Sequence, residues 1–146
     1  MDHFLDDENC IKRLVHEWET YGQLIIAYDY DNTVFDYNKR DIHFVDVPML
    51  LRELKRMGCH LVVFTSCEDS RFPEIKEYLD KNNIPFDSIN ETPDFIPFHG
   101  RKVYYNALLD DRAGLSAAYR QLTEVCVLMR ISKRNKLMET RQDIDF

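Results

Sequence analysis

The chain has 146 residues, 45% of them apolar and 31% charged, and carries a formal charge of −7. This is the size of one ordinary domain with enough apolar material to bury a core, and no run approaches the roughly 18 apolar residues of a membrane-spanning helix. The negative charge excludes broad, non-specific attraction to nucleic acid or to an anionic membrane, while leaving room for a local basic pocket.

The first eight residues, Met1 to Glu8, are acidic where a secretory leader would be basic and then apolar, so the expected location is the cytoplasm. Ile11, Leu14, Val15 and Trp18 recur at helical spacing from about Asp6 to Tyr21, and Gly22 ends that segment. Gln23 to Tyr28 is an apolar run that reads as a strand buried on both faces. A second helix is expected over Val47–Met57, stopped by Gly58, then a strand over His60–Phe64 and a third helix over Phe72–Asn82. A weaker strand is expected at Phe86–Ile89, a loop over Glu91–Gly100 with Pro93 and Pro97, and a strand over Val103–Leu109. Residues 112–140 keep helical spacing as one long helix or two in tandem, with Val125–Ile131 as an alternative edge strand.

Strands alternating with helices imply a single α/β domain over 1–146: an N-terminal helix in 1–22, a core in 23–115 and the C-terminal helical segment. Its sheet should be mostly parallel, with ligands bound beyond the carboxyl ends of the strands. The four cysteines, Cys10, Cys59, Cys67 and Cys126, show no CxxC spacing and no histidine cluster, and read as free thiols, not disulfides or zinc ligands. The basic stretch Lys133-Arg134-Asn135-Lys136 reads as the solvated face of a helix.

Polar residues gather at the expected strand ends. The first strand ends in Asp29-Tyr30-Asp31-Asn32-Thr33, where two carboxylates one residue apart can converge on a cation as the chain turns. The second ends in Thr65-Ser66, whose hydroxyls and following N–H groups suit a phosphoryl oxygen, or alternatively cap the next helix. The last ends in Asp110-Asp111, which fits a ligand site or the start of a helix. Lys102 lies between the last two. Four acids in one place need positive charge, and hard carboxylate donors point to Mg²⁺.

This order resembles the haloacid dehalogenase superfamily. Asp29-Tyr30-Asp31-Asn32-Thr33 looks like its DxDxT motif, Thr65 like the residue closing its second motif, Lys102 like its third-motif lysine, and Asp110-Asp111 like its paired acids. The resemblance implies a Rossmann-like three-layer α/β/α sandwich and a Mg²⁺-dependent phosphatase. Asp29 would be the nucleophile that forms an aspartyl-phosphate, and Asp31 the general acid and base. Thr65 would bind the phosphoryl group and Lys102 would balance its charge. Asp110 and Asp111 would join Asp29 and the Asp31 carbonyl around the metal. An acid two positions after the nucleophile disfavours the dehalogenase branch.

The stretches Thr33–Thr65 and Thr65–Lys102 leave no room for a cap domain, so an open site is expected. Its substrate would be a nucleotide, a polynucleotide end, a phosphoprotein or a small phosphorylated metabolite. Phe35 to Arg40 would form a flap beside the pocket, Tyr37 either stacking on a base or packing, and Arg71 is expected in a surface ion pair. The alternative function is a catalytically idle binding or regulatory module. A receiver-like phosphate acceptor is a third, against which Asp31 argues.

Overall fold

The computed structural model describes residues 1–144. The helices are α1 (Asp7–Tyr21), α2 (Asp46–Arg56), α3 (Phe72–Lys81) and α4 (Leu115–Ile144), and the strands are β1 (Ile25–Tyr28), β2 (His60–Val63), β3 (Ser88–Ile89) and β4 (Ala107–Leu109). Local chemistry sets several boundaries. The Asp6 carboxylate accepts the Glu8 N–H at 2.9 Å to cap α1, and Asp7 and Glu8 complement the helix dipole. Gly22 ends α1 at φ 81°, a left-handed conformation open to glycine, with its N–H on the Trp18 carbonyl at 2.7 Å.

The sheet is all parallel, in the order β3-β2-β1-β4. The chain steps from β1 through β2 to β3 at one edge, then crosses back to lay β4 on the other side of β1. Alternating residues of the strands face two separate cores. Leu24, Ile26, Tyr28, Leu61 and Val63 join Trp18, Leu51, Leu54, Ile75, Leu79 and Val125 of the helices in the larger one. Burying each such side chain contributes about 1.5–3 kcal/mol. The smaller core holds Ile25 and Val62 beneath Ile96, Val103, Tyr104 and Tyr105. Reversing direction across the sheet sends a right-handed crossover to the opposite face. The segment 91–106, which contains no helix, therefore forms the outer layer there. The fold is thus α/β and Rossmann-like, with helices gathered into one core and an irregular layer over the other.

One expectation changes in detail, and one open alternative is resolved. Only Ala107–Leu109 of the run Val103–Leu109 pairs as a strand, because Val103, Tyr104 and Tyr105 cover the sheet face instead. The C-terminal segment is one helix, with no strand at 125–131; Leu122, Val125, Cys126 and Met129 face the core. The spans between the strand ends carry α2, α3 and loops, with no inserted domain. All four cysteines are free thiols, and burial raises Cys59 to about 12 and Cys126 to about 11. Among the described residues, no helix is long and apolar enough to cross a membrane.

Candidate active site

The strand order reverses between β1 and β4, and open parallel sheets bind ligands at such a switch point, beyond the carboxyl ends. Asp29, Asp31, Thr65, Asp110 and Asp111 all line one cleft of about 330 Å³ there, with Asn32, Phe64, Ser66 and Arg112. Asp29 is the first residue past β1, and its N–H donates to the Leu109 carbonyl at 2.9 Å, carrying the β1–β4 ladder one step further. The chain then folds into a tight loop. The Tyr30 carbonyl accepts the N–H groups of Thr33, Val34 and Phe35 at 3.3, 3.1 and 3.1 Å, and the Asn32 N–H donates to the Phe35 carbonyl at 2.7 Å. Asn32 holds φ 60°, a left-handed conformation that asparagine tolerates better than most residues.

That loop turns the fully buried Thr33 back under the acids. Its hydroxyl lies 3.3 Å from Asp29 Oδ2 and 3.4 Å from Asp111 Oδ1, and accepts the Asp111 N–H at 3.2 Å. With one proton, it donates to one of the two carboxylates at a time. Thr33 thus joins the loop after β1 to the loop after β4. Its motif was visible in the sequence, but this role was not, because it depends on the pairing of the two strands.

Oxygen atoms of Asp29, Asp110 and Asp111 lie within 4.8 Å of one another. Burial first, then the hydrogen bond to Asp111 and the charges of Asp110 and Asp111, push the Asp29 carboxyl up to about 7, against the pull of the Tyr30 N–H. Burial and like charges both disfavour the ionised carboxyl here. Three converging oxygen donors without nitrogen or sulfur suit a hard divalent cation.

Thr65 is set by Asn90, which follows β3. The Thr65 N–H donates to Asn90 Oδ1, and Asn90 Nδ2 donates to the Thr65 carbonyl, both at 2.8 Å. The Thr65 hydroxyl accepts the Cys67 N–H at 3.2 Å, a local turn bond that leaves its own proton available. It caps no helix: α3 begins at Phe72, and its first turn has no side-chain cap. Nothing local in the sequence marks Asn90 for this task.

The Asp31 carboxylate stands apart from the other three acids. Arg71 grips it through both terminal nitrogens, Nη1 to Oδ2 at 3.0 Å and Nη2 to Oδ1 at 3.3 Å. The surface ion pair expected of Arg71 exists, to the exposed Glu74, but Arg71 also holds Asp31, a candidate catalytic group. Lys102 is absent from the cleft lining. It lies in the layer over the sheet face, with its ammonium 5.6 Å from the Tyr105 ring centroid, and Tyr105 lies 6.0 Å from the ring of Phe64. The cation that does line the cleft is Arg112, which follows the paired acids directly and which the sequence motifs did not single out.

No protein-family model matches the chain, and no curated protein matches it. Among solved structures, it is similar to that of a conserved protein coded by a locus from Bacteroides thetaiotaomicron, at 21% identity with a TM-score of 0.56. The match covers 70% of this chain and 91% of that one. At such identity the likeness shows the fold alone, a Rossmann-like α/β architecture.

Proposed function

We propose that the protein is a Mg²⁺-dependent phosphomonoesterase of haloacid dehalogenase type, with Asp29 as its nucleophile. The observation that carries this reading is the convergence of Asp29, Asp110 and Asp111 at the switch point of the sheet, with Asp29 raised to about 7 by its burial and by the two neighbouring acids. Asp29, Asp110, Asp111 and the Asp31 carbonyl would hold Mg²⁺. When bound, the ion supplies the positive charge that keeps Asp29 ionised and stabilises the phosphoryl oxygens.

The remaining steps belong to the chain. Asp29 attacks phosphorus and becomes an aspartyl-phosphate, which splits one difficult displacement into two easier ones. Thr33 orients the Asp29 carboxylate from below, and Thr65 donates its hydroxyl proton to a phosphoryl oxygen. Asp31 protonates the leaving oxygen and then takes a proton from the attacking water. Arg112 supplies charge at the cleft, the task that the resemblance gives to Lys102. With no inserted domain over the site, the phosphate of a nucleotide, a polynucleotide end or a small phosphorylated metabolite has access.

The test is hydrolysis of p-nitrophenyl phosphate with and without Mg²⁺, for wild type beside Asp29→Asn. Metal-dependent turnover that disappears in the variant is the expected result. Turnover that survives in Asp29→Asn removes the assigned nucleophile, and Mg²⁺ binding without any turnover favours an idle binding module.

A further inference from the structure

We infer that Arg71 is the residue that grips the substrate's phosphoryl oxygens, and that Asp31 occupies its fork as an internal stand-in until phosphate arrives. The inference rests on the phosphatase reading and adds to it a binding residue outside the resemblance. The two side chains are only 29% and 28% exposed, and both terminal nitrogens of Arg71 meet both oxygens of Asp31. A guanidinium fork fits the edge of a carboxylate and the edge of a phosphoryl group alike.

Arg71 is also held at its other edge, and its guanidinium lies over two aromatic rings. Its Nε donates to Glu74 at 2.7 Å, and its guanidinium lies 5.9 Å from the ring centroids of both Tyr30 and Tyr37. Tyr30 is buried, stacked on Phe35 at 4.9 Å and met edge-on by Tyr78 at 5.7 Å. The arginine therefore lies beside a rigid aromatic platform, with its anion-binding edge facing a residue of the cleft. A phosphate entering that cleft meets four carboxylates, and Arg71, outside the lining but bonded to the cleft residue Asp31, is a cation already holding an anion. Exchange of the fork from Asp31 to phosphate frees the Asp31 side chain to reach the leaving oxygen. Binding of the correct group and release of the acid/base become one event.

Titration calorimetry of the Mg²⁺-loaded full chain with inorganic phosphate tests this, using wild type, Arg71→Gln, Arg71→Lys, Asp31→Asn and the double variant Asp31→Asn/Arg71→Gln. Loss of a forked, charge-assisted contact should weaken phosphate by about tenfold or more in Arg71→Gln, with partial recovery in Arg71→Lys. Asp31→Asn should tighten phosphate, because the internal competitor is gone, and that gain should vanish when Arg71 is also replaced. A gain of equal size in the Arg71→Gln background reports simple charge repulsion and overturns the inference. Phosphate binding unchanged in Arg71→Gln, in a wild type that hydrolyses p-nitrophenyl phosphate, overturns the Arg71 assignment alone. A Mg²⁺-loaded wild type that neither binds phosphate nor turns over removes this inference and the phosphatase reading together.

Discussion

Thr65 owes its place to a residue twenty-five positions away, since Asn90 clamps both its N–H and its carbonyl. Asn90 holds φ 55°, so its left-handed backbone and its two side-chain bonds are satisfied by one residue type. Asn90→Ala leaves the Thr65 N–H unpaired and strains the backbone, and should cost about 1–3 kcal/mol in thermal unfolding while lowering kcat/KM. Asn90→Gly relieves the strain but not the lost clamp, so it should regain part of the stability and little of the turnover. An Asn90→Ala protein that melts and turns over like wild type would contradict the clamp. At this scale, the carboxylates and Thr65 were legible because each directly follows an apolar run. The contacts of Thr33, Asn90 and Arg71 with the site were not, because each is made to a partner on a different loop. Lys102 was placed by its order in the chain, yet the chain before β4 runs across the sheet face and carries its ammonium onto Tyr105.

At the scale of elements, an apolar run does not reveal what it is covering. Val103–Leu109 reads as one strand, but its first part forms the outer layer and its last part pairs with β1. The join between them is Asn106, whose Oδ1 accepts the Ile25 N–H at 2.7 Å while its own N–H donates to the Ile25 carbonyl at 2.7 Å. Its carbonyl accepts from Arg13 of α1 at 3.1 Å, tying the helix to the sheet edge. A buried N–H left without a partner is costly, so Asn106→Ala should lose about 1–3 kcal/mol of stability in denaturant unfolding. A loss well below that range would contradict its part in starting β4. The long helix α4 was legible up to Met129 from its core-facing positions. Beyond Ser132 its residues through Arg141 are exposed, in keeping with the reading of Lys133–Lys136 as the solvated face of a helix.

For the whole molecule, the topology concentrates negative charge at one end of the sheet, and stability should depend on pH and metal together. The Asp29 carboxyl lies at about 7 in the folded protein against an ordinary 3.8. An acid raised on folding destabilises the folded state wherever it is ionised. The metal-free protein therefore loses this contribution as pH rises from about 4 to 7, with no further change above. Mg²⁺ competes with that proton, so the rise in Tm produced by Mg²⁺ should be larger at pH 8 than at pH 5. Asp29→Asn removes one of the converging charges. Relief of about 1 kcal/mol at pH 8 would raise the metal-free Tm by about 2–4 °C, and the Mg²⁺ response should shrink. A Mg²⁺ response independent of pH, or undiminished in the variant, would contradict the assignment of Asp29 to the metal cluster.

The most direct measurement is acid-quench mass spectrometry of the Mg²⁺-loaded protein mixed with p-nitrophenyl phosphate. The expected result is a transient phosphoryl group on the peptide containing Asp29, located on that residue and absent in Asp29→Asn. Hydrolysis proceeding with a phosphoryl group on another side chain, or with none captured at any time in the reaction, would contradict Asp29 as the nucleophile.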